Sequence, residues 1–145
     1  MGAAFLVAAA TGRGQSYAEA GRFFMERAAV AYREGNAAQA IDYIDEALRI
    51  QDRADFYIFR AFVHKEEMNF RDAIRDCNEA IKRESGHARV FALRGDIYLA
   101  QRQYQRALRD YRKAISIFPG YREVHIERGR IFMTLEEYGR AREAF

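Results

Sequence analysis

The residues of this 145-residue chain that could do chemistry are three histidines, one cysteine, three serines and a set of regularly spaced arginines and aspartates. His64, His87 and His125 fall on a helix face, a turn and another helix. No two of them have the i, i+4 spacing that would aim two imidazoles at one metal ion. Cys77 has no second cysteine to oxidise with and stands at an apolar position of its helix, which reads as a buried, inert thiol. Ser16, Ser85 and Ser116 read as a cap, a turn residue and a helix-surface residue, and the chain has neither a G-x-S-x-G elbow nor a phosphate-cradling glycine loop. The acid pairs Glu66-Glu67 and Glu136-Glu137 read as solvated charge at helix ends. No catalytic residue, metal or cofactor is expected, and the chain is not read as an enzyme. The arginines are more regular. Arg27, Arg60, Arg94 and Arg128 each precede an alanine or glycine, and Asp76 and Asp110 follow the second and third of them by sixteen residues. Arg60–Asp76 and Arg94–Asp110 are expected to be partly buried pairs that fix helix register rather than ligand sites.

The elements that must hold these groups repeat along the chain. Ala40, Ala73, Ala107 and Ala141 are spaced 33, 34 and 34 residues apart, and Ala47, Ala80 and Ala114 keep that spacing seven residues later. Phe70, Tyr104 and Tyr138 each stand three residues before their alanine. A period of this length marks a solenoid built from one supersecondary unit. Within each unit two stretches of helical periodicity flank a short polar break such as Glu34-Gly35-Asn36 or Gln101-Arg102-Gln103. First helices are predicted at about 17–34, 54–67, 88–101 and 122–135, and second helices at about 37–50, 70–83, 104–117 and from 138 onward. Ser16 with Glu19 forms a capping box for the first helix. Gly86, as a left-handed cap, and Pro119, which lacks a donor, are predicted to end second helices.

The third unit resembles the tetratricopeptide repeat, a 34-residue helix–turn–helix. Phe91 stands at its large aromatic position, Gly95 at its small position, and Tyr98, Ala107, Tyr111, Ala114 and Pro119 follow in register. The second unit departs at His64, Cys77 and Ser85, and the first at Ala31, Ile44 and Asp52, while the alanine ladders hold. Arginine before the small position, where the family usually has leucine, is a systematic departure. The resemblance covers about 21–145. It implies an all-α, right-handed α-solenoid of helix–turn–helix repeats at about 21–53, 54–87, 88–121 and 122–145, the last truncated, after a lead-in over 1–20. Because Phe145 falls inside the fourth second helix, the chain is expected to be a section of a longer repeat protein or to be covered by another chain.

The family uses its first helices to line a concave groove, which implies a non-catalytic scaffold or adaptor that binds a peptide or helix. Groove positions in the first two units are Met25, Tyr32, Arg33, Ile58, Phe62 and Lys65. In the third and fourth they are Arg89, Asp96, Leu99, Ile126, Arg130 and Met133. This apolar stripe with charged margins suits an apolar peptide or helix, although any of these residues could instead complete the core. Related domains clamp the carboxylate end of a chaperone tail with basic and asparagine side chains. The matching positions here are Met25, Ala29, Phe59, Arg89 and Leu93, or Ile58, Phe62, Leu93, Glu123 and Glu127, and only Arg89 fits. Binding of such a tail is thereby disfavoured, and a co-chaperone-type domain lacking a complete clamp stays as an alternative. RNA binding by an arginine-rich repeat is the alternative of another class. It is weakened by a balance of 24 basic against 21 acidic residues, net +3, with the two signs interleaved. The opening MGAAFLVAAATGRG lacks the basic n-region of a signal peptide and is too short to span a membrane. With one cysteine and no anchor, a cytoplasmic protein with protein partners is expected.

Overall fold

A computed structural model describes residues 17–144. Those residues form seven α-helices and no strand: α1 (Tyr17–Arg33), α2 (Ala37–Ile50), α3 (Ala54–Glu66), α4 (Phe70–Arg83), α5 (Ala88–Ala100), α6 (Tyr104–Ile117) and α7 (Arg122–Ala144). The first six agree within one residue with the helices predicted from the sequence, and the fold class is the all-α helical repeat. Ser16, and with it the predicted capping box and most of the lead-in, lies outside the described residues. The described residues divide into two compact units, 17–84 and 85–144. In the first, α1 pairs with α2, α3 with α4, and α2 packs on α3. In the second, α5 pairs with α6, and α6 packs on α7.

Each of the first three hairpins reverses at one residue in the left-handed region: Gly35 at φ 81°, Met68 at φ 62° and Arg102 at φ 58°. The amide of the following residue reaches back five positions. Asn36 donates to the Ala31 carbonyl at 2.9 Å, Asn69 to His64 at 2.8 Å and Gln103 to Tyr98 at 2.8 Å. This is a Schellman closure, which satisfies carbonyls orphaned by the helix end. Asn36 also caps α2, its side chain accepting from the Gln39 amide at 3.0 Å. A left-handed residue other than glycine costs about 1–2 kcal/mol, so at Met68 and Arg102 the reversal depends on the packing of the helix that follows.

That packing centres on the alanine ladders. Ala40, Ala47, Ala73, Ala80, Ala107 and Ala114 are all fully buried, as are Ala28 and Ala61 on the facing first helices. Side chains this small let two backbones approach closely while larger residues fill the flanks. In the first unit Phe24, Ile44, Phe56 and Val63 supply that filling. In the second, Tyr111 is fully buried and lies against Gly95, so near that a methyl group on Gly95 would sit 2.6 Å from the Tyr111 ring.

Two expectations fail. Gly86 is not left-handed; α4 instead stops at an extended Glu84, whose amide still donates to Ala80 at 2.9 Å. The fourth unit does not fold back either. Helix α7 runs unbroken for 23 residues through Glu136, the register equivalent of Met68 and Arg102. Residues 136–144 are exposed throughout, so nothing offsets a left-handed turn at Glu136 and the helix continues.

The small position therefore carries opposite meanings in successive units. Gly95→Ala should destabilise the second unit by about 1–3 kcal/mol, because the hydrogen-bonded Tyr111 ring cannot yield. Gly129→Ala, with no atom within 4 Å of the added methyl, should instead stabilise by about 1 kcal/mol through helix propensity. Denaturant melts of the two variants check the pair.

Candidate functional site

Polar geometry in the first unit is built around Arg60. Its Nε and Nη2 donate to both oxygens of Asp76 at 2.9 and 2.7 Å, and its Nη1 donates to Asp45 at 2.8 Å. Asp76 is 2% exposed, so the bidentate pair replaces the water its carboxylate has lost. Hydrogen bonding to Asp76 raises the Arg60 pKa further, and the guanidinium stays charged at every accessible pH. His64 stands beside the pair, its Nε2 3.8 Å from Asp76, with a buried Nδ1 that has no hydrogen-bond partner. The second unit repeats the core of this arrangement, with Arg94 Nε and Nη2 each donating to Asp110 at 2.8 Å. Both pairs predicted from the sixteen-residue spacing are therefore present. In the first hairpin the register equivalent of Asp76 is Tyr43, and Arg27 lies over the rings of Tyr43 and Phe23, 5.8 Å from each centroid.

The groove candidates divide by unit. In the first, Tyr32, Phe59 and Phe62 form a ring cluster bridging α1 and α3, with centroids 5.4 Å apart for Tyr32–Phe62 and 6.3 Å for Tyr32–Phe59. These rings and Met25 rest on the hydrophobic core and keep part of their surface open. Arg33 is exposed, and Lys65 donates to Glu66 at 3.2 Å. Ile58 presents no usable surface, being only 6% exposed, because its side of α3 turns into the core. In the second unit Arg89 is exposed and Leu99 half-buried on α5, while Asp96 accepts a short hydrogen bond from the Tyr111 hydroxyl. Burial first, and that bond second, push the Tyr111 phenol up, so Asp96 is held by a permanent donor. On α7 Ile126 and Met133 are exposed one above the other, with Arg130 between them donating to Glu127 at 2.7 Å.

One polar tie had no periodic signal in the sequence. Arg83 on α4 donates to Asp52, 31 positions earlier, at 2.6 Å, donates to Glu79 at 2.7 Å, and lies 4.3 Å over the Tyr57 ring. Its hydrogen bonds hold the Asp52 and Glu79 carboxyls below their usual range. Among the described residues no three His, Cys, Asp or Glu side chains converge as metal ligands would, and no helix is long and apolar enough to cross a membrane. Cys77 is fully buried, and His125 Nε2 lies 2.8 Å from the Pro119 carbonyl.

Residues 88–121 match the family model of the tetratricopeptide repeat. No curated protein sequence matches the chain. Solved structures similar to it include the tetratricopeptide domain of Arabidopsis OM64, 23% identical, covering 80% of this chain and 97% of that one with a TM-score of 0.74. The first tetratricopeptide domain of Spaghetti (RPAP3), bound to the HSP90 peptide SRMEEVD, is 20% identical over 80% of this chain and 95% of that one, TM-score 0.76. The second domain of human RPAP3, in complex with the HSP70 peptide SGPTIEEVD, is 21% identical over 74% and 91% respectively, TM-score 0.69.

Two outcomes follow from the polar geometry. Arg94→Ala leaves Asp110 buried without a counter-charge and should cost about 3 kcal/mol. Asp110→Ala should cost less, because Arg94 can extend to water. A double-mutant cycle by denaturant unfolding should give clear coupling, and additive losses would remove the pair as a register lock. For Arg83 the sign follows from depressed carboxyls: their stabilisation is present above about pH 4–5 and is lost as pH falls through their folded values. The melting-temperature gap between wild type and Arg83→Gln should therefore narrow on acidification.

Proposed function

From the premise that the chain is a tetratricopeptide-repeat protein, with its third unit at residues 88–121 matching the family model, we propose that it is a non-catalytic interaction module whose first helices bind an apolar peptide or helix of a protein partner. The observation that carries this reading is the partly open ring cluster of Tyr32, Phe59 and Phe62, flanked by exposed Arg33 and by Lys65. Solvent-accessible aromatic rings held on a rigid pair of helices gain free energy when covered, roughly 25 cal/mol per Å² before ordering costs, and lose little side-chain entropy. Met25 extends this surface along α1. In the second unit Arg89 and Leu99 on α5, and Ile126, Arg130 and Met133 on α7, are the corresponding candidates, with Asp96 fixed by Tyr111 as an acceptor. The charges at the margin select the partner.

Two of the similar solved structures hold chaperone peptides, SRMEEVD of HSP90 and SGPTIEEVD of HSP70. The residues here do not favour that ligand. Met25, Ala29 and Phe59 stand at positions where a carboxylate clamp needs polar or basic groups, and Leu93 is 7% exposed and belongs to the core. A cytoplasmic location within a larger assembly belongs to the same proposal.

Peptides selected from a random display library against the whole chain test the proposal. Phe62→Ala should weaken the selected peptides about tenfold or more, while Arg71→Ala, on exposed α4 surface, should leave them unchanged. Thermal melts must accompany the comparison, since Tyr32 and Phe62 also rest on the core. Undiminished binding by both Tyr32→Ala and Phe62→Ala would reject this face.

A further inference from the structure

Arg60, Arg94 and Arg128 are register equivalents, and among the described residues only the first two have carboxylate partners. The position sixteen residues after Arg128 is Ala144. It lies on the same unbroken helix, roughly 24 Å along the axis at 1.5 Å per residue, and cannot serve Arg128. The position equivalent to Asp45, the second partner of Arg60, is Arg112. Arg128 is half-buried nonetheless. Its Nε is shut off from solvent without a hydrogen-bond acceptor, and its guanidinium lies over Phe132 at 6.0 Å.

Around Arg128 the surface opens as a cleft of about 330 Å³ between α6 and α7, with Leu108, Arg109 and Arg112 on one wall and Arg128, Phe132 and Leu135 on the other. A cavity of about 320 Å³ occupies the same register in the first unit, where α2 and α3 supply Asp45, Arg60 and His64 and a third helix, α4, supplies Asp76. The α6–α7 cleft thus has two of the three walls, and α7 running straight through Glu136 leaves the third place open. Three guanidiniums without a carboxylate partner among the described residues, beside an exposed Phe132, make that place both cationic and apolar.

We propose that the cleft between α6 and α7 is a docking site for an amphipathic helix of another protein bearing an aspartate or glutamate, whose carboxylate pairs with Arg128 as Asp76 and Asp110 pair with Arg60 and Arg94. The apolar face of that helix covers Leu108, Phe132 and Leu135, and Arg109 and Arg112 favour acidic residues along its flank. This surface shares no residue with the α1–α3 ring cluster, and the two proposals stand or fall independently.

The chain itself supplies the probe. A capped synthetic peptide with the sequence of residues 104–117 presents an aspartate, Asp110, in the required helical register. Titrated into the isotope-labelled whole chain, it should give saturable chemical-shift changes at Leu108, Phe132 and the Arg128 side chain. A peptide carrying Asp110→Asn should bind about tenfold more weakly, and Arg128→Gln in the protein should abolish the difference between the two peptides. The peptide substitution leaves the protein untouched, so the outcome does not depend on how the Arg128 variant folds. Lack of saturable shifts at the cleft, or equal affinity for the Asp and Asn peptides, would overturn the proposal. So would perturbation of the same resonances at lower concentration by a second copy of the chain or by single-stranded RNA.

Discussion

A helical hairpin of this kind closes only where the two backbones can approach, and every other feature of the chain depends on that approach. Ala28, Ala61 and Gly95 on first helices, and Ala40, Ala73 and Ala107 on second helices, leave no side-chain bulk at the crossings. Once the backbones are close, the space beside them has a defined shape, and Phe24, Ile44, Val63 and Tyr111 fill it. The sixteen-residue interval between arginine and aspartate is a consequence of the same geometry. It is the sequence distance at which a residue on one helix meets the facing residue on the next, so a salt bridge there reports correct pairing.

Arginine and aspartate in that position are a more demanding choice than an apolar pair. Each buried carboxylate has lost most of its hydration and is tolerable only while both oxygens are met by a guanidinium. A slip of one residue between the helices would strand the charge, which penalises misregistered hairpins more than an apolar pair would. The first hairpin reaches a similar end by another route, with Arg27 over aromatic rings where no carboxylate is available.

Most of the fold was legible because the alanine ladders carry both the period and the phase of the helices, and the two buried ion pairs followed from that phase. What was not legible depended on balances that a pattern does not encode. Glu136 matches Met68 and Arg102 in register, yet a left-handed residue there is stable only if the returning helix packs, and the exposed residues after Tyr138 do not. Ile58 reads as a surface position by repeat counting, but the rotation of α3 places it inward. Arg83 reaches Asp52 through a fold-dependent proximity with no counterpart in the other units. Tyr32 and Phe62 stand at positions that the repeat assigns to the groove, whereas Phe59, which completes their ring cluster, is named by the repeat only as a position of the carboxylate clamp.

Arg60 differs from Arg94 in one respect that reaches beyond its own hairpin. Its third hydrogen bond, to Asp45, ties α2 of the first hairpin to a guanidinium already locked onto α4 of the second. A single side chain on α3 thus spans three helices of the first unit. In a repeat array, where stability is a sum of intrinsic and nearest-neighbour terms, such a residue belongs to the neighbour term. Moving α2 or α4 away from α3 would break part of the same network, so an opening of one hairpin carries a cost set by its neighbour as well as by itself.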